Sequence, residues 1–450
     1  MVTSITTSKS KSATLVATSL AFAIVQLDVT VVNVAVKQIG ASLHGGVSEL
    51  QWVVGAYTLA FAAFILSAGG IADRLGARRV LCAGFAIFVT ASIACAVAPA
   101  ALVLILARAA QGVGAALLGS CSLALLSHTF TDPGERASAV GLWAAGASGA
   151  LSAGPVVGGV LIAAFGWRAI FLINVPIGLA GAWLTARYAR ETPAVRDRGL
   201  DLAGQAVAVL GLAALAAATI EAGRVGFTAP LVLTGLALAA LAAVAFALIE
   251  RRAPAPLLPL SLLTRRAFTW PALIGLLVNV CFYGLIFVFS LLLQTQHGYD
   301  ALRAGLAFLP MTAAIMAANL GSGRAVRALG ARRVILSGLV AMAAGCAALM
   351  WIAPTTPFGA IVGQQLLLGA GLGVLVPPMT SSVLAAAPRG RAGVAAGTLN
   401  TMRQTGSLLG IAVFGSLIAG PGRFFAGMHV ALVISMGVLC AAGLLTGSSR

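Results

Sequence analysis

The hexapeptide Leu75-Gly76-Ala77-Arg78-Arg79-Val80 recurs unchanged, 254 residues later, as Leu329-Gly330-Ala331-Arg332-Arg333-Val334. Each copy follows the second apolar segment of a block of six such segments. The copies therefore occupy the same place in two related halves of the chain. Halves repeated in the same order indicate two helical bundles related by an axis along the membrane normal, with a cavity between them.

The composition places these halves in a membrane. Of 450 residues, 60% are hydrophobic and only 9% are charged, and the mean hydropathy is +1.03. A soluble domain of this size does not carry so apolar a composition. The apolar runs have the length of about 20 residues that a helix needs to cross a hydrocarbon core, whereas barrel strands would be about 10 residues long with strict alternation. We therefore expect an all-α membrane protein.

Breaks at Gly, Pro and Arg clusters divide the chain into fourteen predicted helices. The first six are expected at 13–36, 51–71, 80–98, 101–126, 138–163 and 168–188. Two further helices, expected to pack at the edge of the symmetric core, follow at 202–221 and 229–249. The last six are expected at 268–293, 303–323, 333–353, 358–380, 392–418 and 427–446. The predicted domains are a cytoplasmic tail (1–12), an N-terminal six-helix half (13–190), two additional helices (191–252) and a C-terminal six-helix half (253–450).

The basic residues predict the orientation of these helices. With the N-terminus inside, 21 of the 28 Lys and Arg residues fall in inner segments and five in outer ones, while Arg108 and Arg403 lie within helices. This excess follows the positive-inside rule. We therefore expect a multi-pass protein of the cytoplasmic membrane with both termini in the cytoplasm. The net charge of +17 suits an anionic inner leaflet and requires no nucleic acid.

Patterns typical of enzymes and metal sites are missing from the sequence. The six cysteines fall inside apolar runs without CxxC spacing, and the four histidines are scattered near predicted helix ends. No GxxxxGK[ST], HExxH or GxSxG motif stands in a fitting context. We therefore expect no enzyme, no metal site, no cofactor and no ATP hydrolysis.

Two charged residues stand inside predicted helices at matching depths. Asp28 lies in Leu27-Asp28-Val29-Thr30-Val31-Val32-Asn33-Val34-Ala35 on helix one, and Arg108 lies on helix four. At 1.5 Å per residue, both sit roughly 10–12 Å below the outer boundary. A charge near the bilayer centre costs about 2.5–3.5 kcal/mol on insertion scales, so each needs a partner or a function. We predict that the two pair. Asp28 either changes protonation while Arg108 stabilises its charged form in one conformation, or forms a static link with Arg108.

Four stretches resemble the major facilitator superfamily and, within it, the fourteen-helix drug:proton antiporters. The loop Gly69-Gly70-Ile71-Ala72-Asp73-Arg74-Leu75-Gly76-Ala77-Arg78-Arg79 is similar to the superfamily's loop between helices two and three. The stretch 27–35 is similar to the first-helix signature of the fourteen-helix branch. Residues 108–114 resemble the proton-linked motif of helix four, and residues 146–159 the antiporter motif of helix five. Residues 166–178 add a further branch-like stretch, and methylenomycin-resistance exporters look most similar.

The resemblance implies a fold, an activity and partners. The fold is two six-helix halves plus two extra central helices, fourteen transmembrane helices in all. The activity is proton-coupled antiport that exports small amphipathic drugs, antibiotics or toxic metabolites by alternating access. A proton-coupled importer or symporter of a small solute on the same fold is the alternative. The expected partners are a small-molecule substrate, protons and the lipid bilayer. One chain contains both halves, so we expect a monomer powered by the proton gradient.

The loop after helix two is a candidate conformational latch between the halves. Gly69 would allow close helix approach, Asp73 stands in an otherwise basic loop, and the arginines can reach carboxylates or helix ends on the inner face. A solvated basic loop is the alternative reading. The latch candidates are Gly69, Asp73, Arg74, Gly76, Arg78 and Arg79.

Helix five carries small residues at every fourth position, at Gly146, Ala150, Gly154 and Gly158. Such a face lets another helix lie at backbone contact. In the resembling family this motif marks exporters, and we expect it to contact a helix of the other half and close the outer side. Ordinary small-residue packing is the alternative. The candidates are Gly146, Gly154, Pro155, Gly158 and Gly159.

Polar and aromatic residues on the predicted helices are the candidates for substrate contact. Single polar residues in membrane helices serve as often in interhelical hydrogen bonds. Arg403 has two alternative roles. Its side chain lines the cavity beside Asn400 and Gln404, or it donates a hydrogen bond to a backbone carbonyl. The cavity candidates are Asn33, Tyr57, Gln111, Trp143, Asn279, Tyr283, Asn400 and Arg403.

Overall fold

A computed structural model of the chain describes residues 2–193, 201–254, 256–258, 260–353, 356–386, 392–419 and 422–448. Within these ranges the regular secondary structure is helical and contains no strand, which confirms the all-α prediction. Of the predicted linker between the N-terminal half and the two additional helices, residues 194–200 lie outside the described part of the chain.

The N-terminal half and the two additional helices come first in the chain. The helices are α1 (Val2–Leu43), α2 (Val47–Leu75), α3 (Ala77–Ala96), α4 (Ala101–Thr129), α5 (Pro133–Phe165), α6 (Ala169–Leu172), α7 (Asn174–Tyr188), α8 (Leu202–Val225) and α9 (Pro230–Arg252). Together, α6 and α7 make one candidate membrane span, 169–188.

The C-terminal half follows after a short helix. The helices are α10 (Leu260–Leu263), α11 (Arg266–Leu291), α12 (Ala301–Ala307), α13 (Leu309–Leu329), α14 (Ala331–Leu349), α15 (Gly359–Ala385), α16 (Ala392–Ile418) and α17 (Phe424–Ser448). A π-helical turn, Leu292–Gln296, extends α11, and α12 and α13 make one span. By length and composition, thirteen spans of the described chain can cross a membrane. The one predicted helix that is not among these thirteen spans is α16, which packs against α2 and α11.

Three differences from the predicted helices are larger than a few residues or interrupt a helix. The first helix begins at Val2 rather than near residue 13, so the predicted tail is helical. The sixth predicted helix is interrupted between α6 and α7, because Pro176 lacks the N–H that would bond the end of α6. The predicted helix at 303–323 is interrupted at Phe308, where Pro310 starts a new first turn.

The repeated hexapeptide occupies equivalent places in the two halves. Gly76 joins α2 to α3 with a φ of 94°, and Gly330 joins α13 to α14 with a φ of 82°. Both values lie in the region that glycine adopts at little cost. The repeat therefore encodes the same turn twice.

The two additional helices lie along the boundary of the two halves. Helix α8 packs against α2 of the first half and α16 of the second, and α9 packs on α8. Gln205 of α8 accepts a hydrogen bond from Ser67 and donates one of 3.0 Å to the carbonyl of Ala63. Leucines on α9 are exposed, as lipid-facing residues are. The predicted position at the edge of the core is confirmed.

Candidate functional site

Asp28 of α1 and Arg108 of α4 form a fully buried ion pair. The Arg108 Nη1 donates to Asp28 Oδ2 and also to Gln111 Oε1 at 2.6 Å. Its Nε donates to the carbonyl of Val53 in α2 at 3.1 Å. The equal depths of Asp28 and Arg108 had predicted this contact. The guanidinium of Arg108 also links α1, α2 and α4.

The second carboxylate oxygen of Asp28 accepts two further hydrogen bonds. Gln111 Nε2 donates to Oδ1 at 2.8 Å, and Asn174 Nδ2 from the start of α7 donates at 2.9 Å. Both amides also donate to Ser92 Oγ of α3, at 2.8 and 3.3 Å. Polar side chains of α4 and α7 therefore donate to the acid of α1, Ser92 of α3 supports two of these donors, and Arg108 ties in α2.

Two aromatic rings cover the guanidinium of Arg108. The ring centroids of Tyr57 and Phe171 lie 4.3 and 5.8 Å from its Cζ. The Tyr57 hydroxyl donates to the carbonyl of Val25 at 3.3 Å, which fixes that ring between α1 and α2. Aromatic faces attract a cation and exclude water, so the pair is both stabilised and shielded.

Sequence reasoning missed Asn174 and Ser92. Both are fully buried. Asn174 lies in the branch-like stretch 166–178 as a polar residue among apolar ones, which was the available signal. Helix position gives the depth of a side chain but not which neighbour it meets, so the partner could not be named from the sequence.

The two halves are joined at the end of the bundle where the loop between α1 and α2 lies. Lys37 Nζ of α1 donates to the carbonyl of Gln294 at 2.6 Å, and Ser290 Oγ of α11 donates to the carbonyl of Asn33. On the other side, Gln51 Nε2 of α2 donates to the carbonyl of Ala412 in α16 at 2.8 Å. These bonds hold α1 to α11 and α2 to α16 at this end of the bundle.

The glycine face of α5 packs differently from the prediction. Side chains added at Gly154 and Gly158 would collide with Thr30 and Val31 of α1, which belongs to the same half. The expected contact of this face with the other half is therefore wrong, and Gly146 is only loosely packed, with a Cβ added there 4.0 Å from Ser19. The reason is rotation, since successive helix residues point about 100° apart.

The contact between halves is made one position away from that face. A Cβ added at Gly159 would lie 2.8 Å from the carbonyl oxygen of Ala301 in α12. A Cβ added at Gly305 would collide with the carbonyl oxygen of Pro155. Helices α5 and α12 therefore meet backbone to backbone, which only small residues permit.

A small cavity lies between the halves beneath these contacts. Its volume is about 20 Å³, room for about one water molecule. Asn33, one of the predicted substrate contacts, lines it together with Ser152. The remaining lining residues are Thr30, Val34, Leu151, Pro155, Phe282, Ile286, Phe308, Met311, Thr312 and Ile315.

The other predicted substrate contacts are spread over several settings. Tyr57 and Gln111 belong to the ion-pair network described above. Asn279 donates to the carbonyl of Gly275 in its own helix at 2.7 Å. The ring of Trp143 stacks on Phe22 at 4.3 Å. Tyr283 is buried in α11, Asn400 and Arg403 are partly exposed on α16, and Tyr283 lies within electrostatic range of Arg403.

The loop after α2 contacts its own half. The backbone N–H of Arg78 donates to the carboxylate of Glu191 at 2.9 Å, and that of Arg79 donates at 3.3 Å. The Arg78 guanidinium donates to the carbonyl of Ala186. The expected close helix approach at Gly69 is wrong in this conformation, because nothing lies within 4 Å of a Cβ added there. A latch role for Asp73, Arg74 and Gly76 stays a prediction.

Comparisons with known proteins agree with this architecture. The family model of the Major Facilitator Superfamily matches residues 18–411. The methylenomycin A resistance protein of Streptomyces coelicolor is 38% identical over 397 residues, or 88% of this chain and 83% of that protein. The multidrug resistance protein Stp of Mycobacterium tuberculosis is 38% identical over 408 residues, or 90% and 75% of the two chains. The nucleoside transporter NupG shares the fold, with a TM-score of 0.66 and 13% identity over 97% and 99% of the two chains.

Proposed function

The chain belongs to the Major Facilitator Superfamily, and from this we propose that it is a proton-coupled antiporter. It exports small amphipathic drugs, antibiotics or toxic metabolites by alternating access, as the names of its relatives suggest. It is a multi-pass membrane protein. We place it in the cytoplasmic membrane as a monomer with both termini inside, and with the proton gradient as its energy source.

The buried network around Asp28 is the observation that carries proton coupling. Donors from Arg108, Gln111 and Asn174 stabilise the charged carboxylate in the present arrangement. A movement of α4 or α7 relative to α1 would remove these donors and leave the acid in an apolar setting. The neutral, protonated form is then favoured. Conformation and proton binding are coupled in this way.

The outer contacts support alternating access. An exporter driven by protons must close its outer side tightly between cycles, because a leak would dissipate the gradient. The backbone contact of α5 with α12 through Gly159 and Gly305 supplies such a closure. The bonds of Lys37 and Gln51 to carbonyls of the other half reinforce it.

Flux direction in membrane vesicles tests this function. Methylenomycin A, the compound named for one relative, is offered to inside-out vesicles with a proton gradient that is acidic inside. We expect uptake that an uncoupler abolishes and that vesicles lacking the protein do not show. Gradient-driven uptake confined to right-side-out vesicles would instead support the importer. No gradient-dependent flux of this compound or of a panel of antibiotics in either orientation would contradict the proposal.

A further inference from the structure

Arg403 is a second membrane-embedded cation, and it lacks the partners that Arg108 has. It stands about 16 Å along α16 from the first residue of that helix, near the middle of the span. Its Nε is buried without a hydrogen-bond partner. Among the residues that the structure describes, the ion pairs do not include it. A charge that stays uncompensated within a membrane span is unfavourable, so an anion beside this side chain would stabilise it.

The side chain of Arg403 is only partly covered by the protein. It lies on α16 facing α11, and part of its surface stays accessible. Its Cγ lies 3.4 Å from a Cβ added at Gly275 of α11. The ionisable group that interacts with it electrostatically is Tyr283, and within the described part of the chain no carboxylate forms an ion pair with it.

Along α11, the residues beside Arg403 are followed by apolar residues that line the cavity between the halves. Gly275, beside Arg403, and Asn279 are one turn apart, and both pack against α16. Phe282 and Ile286 follow on the same face and line the apolar cavity between the halves. Phe282 is seven residues beyond Gly275, which is about 10 Å along the helix. The apolar surface between the halves therefore begins close to Arg403 along α11.

We propose that Arg403 binds a carboxylate of the transported compound, so that the exporter prefers amphipathic organic acids. This inference rests on the proposed function. The planar guanidinium matches a carboxylate with two parallel hydrogen bonds, a geometry that an ammonium cannot reproduce. Asp28 does not compete for the site, because its carboxylate is already held by Arg108.

Binding of three matched compounds tests the charge preference. Purified full-length protein in lipid nanodiscs is incubated with radiolabelled naphthylacetate at neutral pH, and unlabelled naphthylacetamide or naphthylethylamine competes. The three probes share a ring and carry an anionic, a neutral and a cationic group. We expect the acid to bind at least about tenfold more tightly than the amide or the amine, the size of one charge-assisted hydrogen bond.

Variants assign the preference to one residue. Arg403→Gln should reduce binding of the acid to the level of the amide, and Arg403→Lys should keep the order of the probes with a smaller preference. Arg327→Gln removes an equal charge from an exposed site at the inner end of α13 and should change nothing. The melting midpoint of each variant reports folding. If Arg403→Gln does not fold, the weaker preference of Arg403→Lys carries the test.

Two results would overturn the inference. One is equal affinity for the three probes, or no binding of the acid, in the folded wild type. The other is an unchanged preference in folded Arg403→Gln or Arg403→Lys. Export assays separate this failure from a failure of the proposed function. Gradient-driven export without a charge preference would refute the anion site alone. Binding that depends on Arg403, without any export, would refute the exporter alone.

Discussion

The amide of Asn174 donates to the Asp28 carboxylate at 2.9 Å and so links the sixth membrane span to the first. The break between α6 and α7 places Asn174 in the first turn of α7, where its side chain reaches the centre of the N-terminal half. A movement of α7 therefore alters the surroundings of the acid directly. The interruption of the sixth span therefore shapes the surroundings of Asp28.

Replacing Asn174 by Ala should weaken this link. The carboxylate loses one of its donors, and hydrogen bonds to charged groups contribute about 1.5–3 kcal/mol. We expect a lower melting midpoint and slower substrate-driven proton transport. Thermal unfolding in detergent and proton flux in proteoliposomes measure both. Thr234→Ala, on α9 and outside both the network and the candidate cavity residues, is the control. Equal behaviour of the two variants would show that Asn174 does not support Asp28.

A side chain at Gly159 should open the outer closure. In Gly159→Val the added atoms collide with the backbone of α12, and backbone cannot move aside as a side chain can. We expect loss of export and faster labelling of a reporter cysteine introduced at Ala301 by a membrane-impermeant thiol reagent. Gly149→Val is the matched control on the same helix, because nothing lies within 4 Å of a Cβ added there. Wild-type export by Gly159→Val would refute the closure.

Removal of the Glu191 carboxylate should destabilise the start of α3. Glu191 accepts hydrogen bonds from the backbone N–H groups of Arg78 and Arg79. Loss of a carboxylate from a helix N-terminus costs about 0.5–2 kcal/mol. Glu191→Ala should lower the melting midpoint, while Glu191→Gln should recover part of the loss. Glu49→Ala, an acid in the first turn of α2, serves as the comparison. Midpoints that do not differ between Glu191→Ala and wild type would contradict this role.

Periodicity, length and charge counting predicted much of the fold, because the bilayer restricts a chain to few solutions. The predicted bounds of α16, 392–418, agree with the structure, and the repeat places Gly76 and Gly330 at equivalent turns. The interruptions at Ile173 and Phe308 were not predicted, although Pro176 and Pro310 signalled them. A helix break within a long apolar run is hard to recognise from sequence, because neighbouring helices can satisfy the backbone polar groups that it frees.

The candidate site was predicted in part. Depth along the membrane normal sufficed to pair Asp28 with Arg108, since both charges had to be compensated. The rotation of each helix about its axis could not be derived from one sequence. For that reason Asn174 was missed, and the neighbours of Gly154 and Gly158 were assigned to the wrong half, whereas Gly159 does contact the other half.

Proton flux through the Asp28→Asn variant tests the central claim most directly. Protein is reconstituted into proteoliposomes with a trapped pH-sensitive dye, and substrate addition starts exchange. Asn keeps the shape of the side chain but cannot take up a proton. Glu221→Gln is the control, because Glu221 also pairs with an arginine, Arg224, but lies partly exposed on α8. We predict that Asp28→Asn folds and inserts but moves no protons when substrate is added, while Glu221→Gln behaves as wild type. Substrate-driven proton flux at the wild-type rate in Asp28→Asn would contradict the account.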